Sequence, residues 1–165
     1  MNLQDAENLA LSLMEKHGLK DWTFQFSRAK RFFGWCCSGT KTITLSAPLT
    51  RINDENRVRL TILHEVAHGI VNTSNGHKRI WKLKCLEIGG DGQRCHSGDN
   101  TVLIKGNYIA TCKYCGKSYN MYRKPRTMRF CHCTRGVNDR FHPSNILQWN
   151  LNNNIAAQEQ LVEMD

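Results

Sequence analysis

The spacing of apolar positions changes period along the first half of the chain, and each change marks an element. Ala6, Leu9, Ala10, Leu13 and Met14 recur at helical spacing, which predicts an amphipathic helix over residues 5–17. Gly18 suits its stop, because glycine readily enters the left-handed conformation that ends many helices. Trp22, Phe24 and Phe26 then alternate with polar residues, the pattern of a half-buried strand. Residues 32–37 and 41–46 read as two further strands, joined by Ser38-Gly39-Thr40, with Ile43 and Leu45 facing inward.

The helical period returns from about 55 to 72, behind a cap at Asn53 or Asp54. Leu60, Ile62, Leu63, Val66, Ala67, Ile70 and Val71 leave this helix little polar face, so it is expected to be buried on most sides. Thr73-Ser74-Asn75-Gly76 breaks it, and another helix spans about 78–88, stopping at Gly89-Gly90. Residues 91–100 read as loop. Composition shifts near 101: residues 101–105 and 108–112 are β-like and lead into a cysteine-rich, basic stretch. Beyond 141 the chain is rich in Asn and Gln, which suggests a polar tail or one docking helix. Three parts follow: a core over 1–104, a small module over 105–140 and a tail over 141–165. No apolar run approaches the length of a membrane span, so no membrane partner is expected.

The buried helix carries His64-Glu65-Val66-Ala67-His68, an H-E-x-x-H pentad. Residues four apart share a helix face, so both imidazoles can grip one ion. Glu65 then lies beside that ion, where it suits the role of general base towards water. This is the minimal equipment of a zinc peptidase. The bland alternative is a polar stripe on a helix. It fits poorly, because three ionisable groups interrupt an otherwise apolar helix and burying them unpaired is costly. Two residues compete as third ligand: His77, nine positions after His68 across the Gly76 turn, and Glu87, nineteen positions after it on the next helix.

Composition adds a second site. Eight cysteines in a chain whose N-terminus has acids where a signal peptide has bases point to metal binding in the cytoplasm rather than to disulfides. Cys112-x-x-Cys115 and Cys131-x-Cys133, fifteen residues apart, read as the thiolate pairs of a zinc ribbon, with His132 a rival to Cys133. Cys36, Cys37, Cys85 and Cys95 read as reduced thiols. Two Zn2+ per chain are therefore expected, one catalytic and one structural.

The net charge of +9 adds a partner. Nine bases fall between 105 and 140 against the single acid Asp139, and all four tyrosines lie there too. Cations meet phosphates and rings stack on unpaired bases, so Lys113, Lys117, Tyr119, Tyr122, Arg123, Lys124, Arg126 and Arg129 are expected to contact nucleic acid.

Lys41–Ser46, Leu63–His68, Gly76-His77-Lys78-Arg79-Ile80-Trp81 and the trailing cysteine pairs together resemble the SprT-like metallopeptidases, which include the Spartan proteases. The resemblance covers roughly residues 20–135, and the compact layout looks like a bacterial or phage form. It implies an α+β zincin-like core, with helices on a short, mostly antiparallel sheet, followed by a C-terminal zinc ribbon. It also implies zinc on His64, His68 and His77, Glu65 as catalytic base, and cleavage of DNA-associated or DNA-crosslinked protein substrates. We expect a cytoplasmic monomer, nucleoid-associated where it engages DNA. The alternative is a nucleic-acid-binding or regulatory zinc protein whose zincin core is structural. A peptidase with no nucleic-acid role is a third reading.

Overall fold

The computed structural model describes residues 1–94, 101–133 and 145–152. The chain forms two compact units, Met1–Leu103 and Ile104–Asp165.

In the first unit, helix α1 spans Leu3–Lys16 and buries the Ala6, Ala10, Leu13 and Met14 stripe. Asn2 caps it by accepting from the Asp5 N–H at 2.8 Å. Strands β1 (Thr23–Ser27), β2 (Gly34–Cys37) and β3 (Thr42–Ser46) form one sheet in the order β1-β3-β2. β3 is central, and Ile43, Thr44, Leu45 and Ser46 are all buried. β2 pairs antiparallel with β3 through the expected hairpin. β1, however, pairs parallel with β3, so this sheet is not mostly antiparallel. A parallel pair needs a connection that crosses back, and here the β2 excursion supplies it.

Helix α2 (Ala47–Ile52) follows directly. Its signal lies in Ser46-Ala47-Pro48: a serine cap that accepts from the Leu49 N–H at 3.1 Å, and a proline in the first turn. Helix α3 spans Glu55–Val71, with Asp54 accepting from the Arg57 N–H at 2.7 Å. It is buried from Thr61 through His68, as its composition predicts. Asn72, at φ 69°, ends it before the short 3-10 turn Thr73–Asn75. Helix α4 runs Arg79–Glu87 and packs on α3 through Trp81 and Cys85 against Ala67.

In the second unit, β4 (Tyr108–Thr111), β5 (Ser118–Met121) and β6 (Asn150–Leu151) form a sheet in the order β5-β4-β6, antiparallel throughout. Residues 101–105, β-like by composition, form no strand. A small core of Ala110, Cys112, Cys131 and Leu147, flanked by Tyr119 and Trp149, closes the unit. The architecture is thus α+β, with helices packed on the first of two small sheets and a cysteine cluster beside the second. Cys95, Arg135, Asp139, Arg140 and most of 141–165 lie outside the described residues.

No described helix is long and apolar enough to cross a membrane.

Candidate metal centres

The pentad sits in the middle of α3, where its three ionisable side chains are all buried. The turn after α3 carries His77 back beneath the same face. His77 Nε2 lies 3.0 Å from His64 Nε2 and 3.1 Å from His68 Nε2. Three imidazole nitrogens therefore converge on one point. Glu87 does not join them: its carboxylate takes the Lys84 ammonium at 2.6 Å on the solvent side of α4. Of the two rivals for third ligand, the structure brings His77 to the pentad.

Trp81 organises the cluster. It is 1% exposed, and its ring centroid lies 4.5 Å from that of His64, 5.1 Å from His68 and 4.6 Å from His77. Its indole N–H donates to the His64 carbonyl at 3.4 Å. One buried ring thus walls all three imidazoles and leaves their rotamers little freedom.

Glu65 is held from the sheet side. A Cβ placed on Gly34 of β2 would lie 2.9 Å from Leu45 Cδ2, 3.1 Å from Glu65 Cγ and 3.2 Å from Glu65 Oε1. Only glycine admits the glutamate there, and a glycine inside a strand pattern is the sequence signal of such a close approach. Burial pushes the Glu65 carboxyl up to about 8. Burial, then the neighbouring His77, pushes His68 down to about 4, and burial followed by Arg94 lowers His77. The half-buried Cys36 thiol nearby is pushed up to about 12 by burial and then by Glu65.

These residues fit a divalent zinc ion. A neutral imidazole nitrogen is either one donor or one acceptor, so three mutually facing Nε2 atoms can share at most a proton. A cation takes all three lone pairs. Zinc–nitrogen bonds of about 2.0–2.1 Å in tetrahedral geometry set ring nitrogens roughly 3.3–3.4 Å apart, close to the spacing seen. The ion also wants the neutral imidazoles that burial favours, and its charge would draw the Glu65 carboxyl back towards ionisation.

The second donor set lies in the smaller unit. The Cys112 and Cys115 pair sits on a turn that Gly116 closes at φ +70°, its N–H donating to the Cys112 carbonyl at 2.9 Å. The Cys112 N–H donates to the Lys117 carbonyl at 2.9 Å as the chain returns into β5. Cys112 and Cys133 sulfurs are 3.8 Å apart, and those of Cys115 and Cys131 are 3.5 Å apart. Both separations are far beyond a disulfide, and a tetrahedral zinc–thiolate site sets its sulfurs about 3.8 Å apart. All four cysteines join the cluster, with Cys133 rather than His132 as the fourth donor. The Tyr119 hydroxyl lies 2.9 Å from Cys131 Sγ, and this contact is the main reason the Cys131 thiol drops to about 6. There are thus two distinct metal-binding donor sets, three histidines and four cysteines, suited to one catalytic and one structural Zn2+.

The arrangement of His64, Glu65, His68 and His77 matches the active site of an H-E-x-x-H zinc metallopeptidase. The SprT-like family profile matches residues 4–100 of the 165. The chain belongs to the SprT-like family. Comparison with curated proteins and with solved structures returns no match.

In this SprT-like protein the expected DNA-contacting residues fall into two groups. Lys113, Lys117, Arg123, Lys124, Arg126 and Arg129 are exposed. Tyr119 and Tyr122 spend their hydroxyls inside the unit, Tyr119 at Cys131 and Tyr122 as a donor to the Ile104 carbonyl at 2.5 Å. Among the described residues there, the aromatic side chain most open to solvent is Tyr114, which sits between Cys112 and Cys115.

Proposed function

We propose that this SprT-like protein is a zinc-dependent endopeptidase, built as a zincin-like core with a zinc ribbon, that acts on proteins held on or crosslinked to DNA. The convergence of three imidazoles beside the buried Glu65 carries the peptidase reading. His64, His68 and His77 hold the ion. When bound, zinc supplies a Lewis acid that polarises the scissile carbonyl and acidifies water. Glu65 takes the proton from the attacking water as the carbon–oxygen bond forms. It then delivers that proton to the amide nitrogen as the carbon–nitrogen bond breaks, and so returns to its starting state. Its burial against β2 fixes the carboxylate in place, and the charge of a bound ion would keep it ionised and ready to accept that proton.

The exposed bases at Lys113, Lys117, Arg123, Lys124, Arg126 and Arg129 support the nucleic-acid half of the reading. The test is Glu65→Gln, assayed on a protein crosslinked to a single-stranded oligonucleotide and on the same protein without DNA. The variant should keep both zincs and lose about 10²- to 10⁴-fold in kcat. Cleavage at the wild-type rate would overturn the mechanism. Equal wild-type cleavage of the two substrates, indifferent to salt, would overturn the DNA half and leave the peptidase half standing.

A further inference from the structure

The core unit carries a basic aromatic surface of its own. Residues 22–53 contain no aspartate or glutamate, yet include Arg28, Lys30, Arg31, Lys41 and Arg51. Lys41 is matched by Asp21, just outside this stretch. Arg28, Lys30 and Arg31 fall together in the connection from β1 to β2 and run straight into Phe32-Phe33-Gly34-Trp35. Of these rings only Phe33 is buried; Phe32 is 62% exposed and Trp35 39%. The Arg31 guanidinium lies over the Phe32 ring, 5.6 Å from its centroid.

The segment is held in place by one buried residue. The Ser46 hydroxyl donates to the Ala29 carbonyl at 2.5 Å, and the Ser46 N–H donates to the Phe33 carbonyl at 2.7 Å. Ser46 is fully buried and also caps α2, so its own position is fixed. Both ends of residues 29–33 are therefore clamped, and the outward rings are presented at little further entropic cost on binding.

We propose that residues 28–35 form a binding surface for single-stranded nucleic acid. Arg28 and Arg31 meet the phosphates, and Phe32 and Trp35 stack on unpaired bases. Cations interleaved with outward rings are the chemistry such strands need, because every base has a π-face and every linkage a charge. A stretch that brings bases and no acid of its own disfavours a basic partner by charge. An acidic peptide would use the cations but offers no planar face to two exposed rings. The inference deepens the proposed action on DNA-held proteins and rests on it. Gly34, which lies against Glu65, stands between the two stacking residues, so the strand that presents Trp35 outward on one face backs the catalytic carboxylate on the other.

The test uses the full-length, zinc-loaded chain with a fluorescein-labelled oligo-dT and a duplex of equal length. Phe32→Ala and Trp35→Ala should each weaken oligo-dT binding about 5- to 150-fold, with Trp35→Tyr restoring most of it. Joint replacement of Arg28 and Arg31 by alanine should flatten the slope of log affinity against log salt by about 1.4. Zinc content and melting temperature identify any variant that has failed to fold. Phe32→Ala, at an exposed ring, carries the test if Trp35→Ala is such a variant. If these variants bind like wild type while Lys113→Ala with Lys117→Ala abolishes binding, this inference falls and the DNA reading stands. Should they slow cleavage of a DNA-free protein while oligo-dT affinity is untouched, the surface docks peptide and the proposal is wrong. A duplex bound more tightly than oligo-dT overturns the stacking role. A wild type without affinity for either probe overturns both readings.

Discussion

Glu65 and Gly34 show how much of the site turns on two residues that touch. The glutamate is legible from the pentad, whereas the glycine is legible only as a gap in a strand pattern. Gly34→Ala puts a methyl within 3.1 Å of Glu65 Cγ and 2.9 Å of Leu45 Cδ2, so the carboxylate must shift. Small misplacements of a reacting group are expensive, and kcat should fall about 10- to 100-fold at unchanged zinc content. Undiminished kcat would mean that Leu45 yields instead. The same carboxyl sets a pH signature in metal-depleted protein. Burial holds Glu65 up at about 8, against 4.5 without it. Between those values the native state keeps a proton that the unfolded chain has lost, so stability falls as pH rises. His68 is held down at about 4 against 6.5, so it contributes the opposite slope below pH 6.5. The two oppose each other up to that point, and above it Cys131, held down at about 6 against 9.0, opposes Glu65 in its turn. The Glu65 contribution is therefore read as a difference: in chelator-treated protein, the melting temperature of wild type minus that of Glu65→Gln should fall as pH rises from about 6.5 to 8. A difference that does not change across that window would assign the pH dependence to another group.

At the scale of elements, α3 was readable and its neighbours less so. The apolar run from Leu60 to Val71 and the Asp54 cap predict a buried helix, and α3 is one. The short α2 and the parallel placement of β1 are harder to read. A six-residue helix has too few turns to show a period, and strand pairing depends on residues far apart in the chain. Helix α4 matters through Trp81. Its removal takes a wall from all three imidazoles, so Trp81→Ala should cut zinc affinity about 10- to 100-fold and destabilise the core by about 3–5 kcal/mol. Trp81→Phe keeps most of the packing and loses the bond to the His64 carbonyl, worth about 1 kcal/mol. Chelator competition and urea unfolding measure the two effects separately. Equal zinc affinity in Trp81→Ala and wild type would show that the histidines orient themselves.

For the whole molecule, the two donor sets predict a metal inventory. Elemental analysis should find two zincs per chain. His77→Ala should leave one, Glu87→Ala two, and replacing Cys112 and Cys115 by serine should leave the histidine-bound zinc. One zinc in wild type, or loss of zinc on Glu87→Ala, would overturn this assignment. Among its described residues the smaller unit buries few apolar side chains around Cys112 and Cys131, so its metal should contribute much of its folding energy.

The sequence by itself determined what is local. Helical spacing alone puts His64 and His68 on one face with Glu65 beside them, and short cysteine spacings alone make metal-ready turns. Tertiary structure decided whatever depends on where the chain returns. His77 rather than Glu87 reaches the pentad because the Asn72–Gly76 turn folds back under α3 while α4 carries Glu87 out to Lys84. Cys133 closes the thiolate set because the Asn145–Leu147 segment pairs with residues 129–131 and sets their path. Gly34 meets Glu65 because β2 pairs with β3 in one register and packs on α3. Spacing fixes neighbours within a few residues; contacts across tens of residues are chosen by which packing buries the most apolar surface without stranding a polar group.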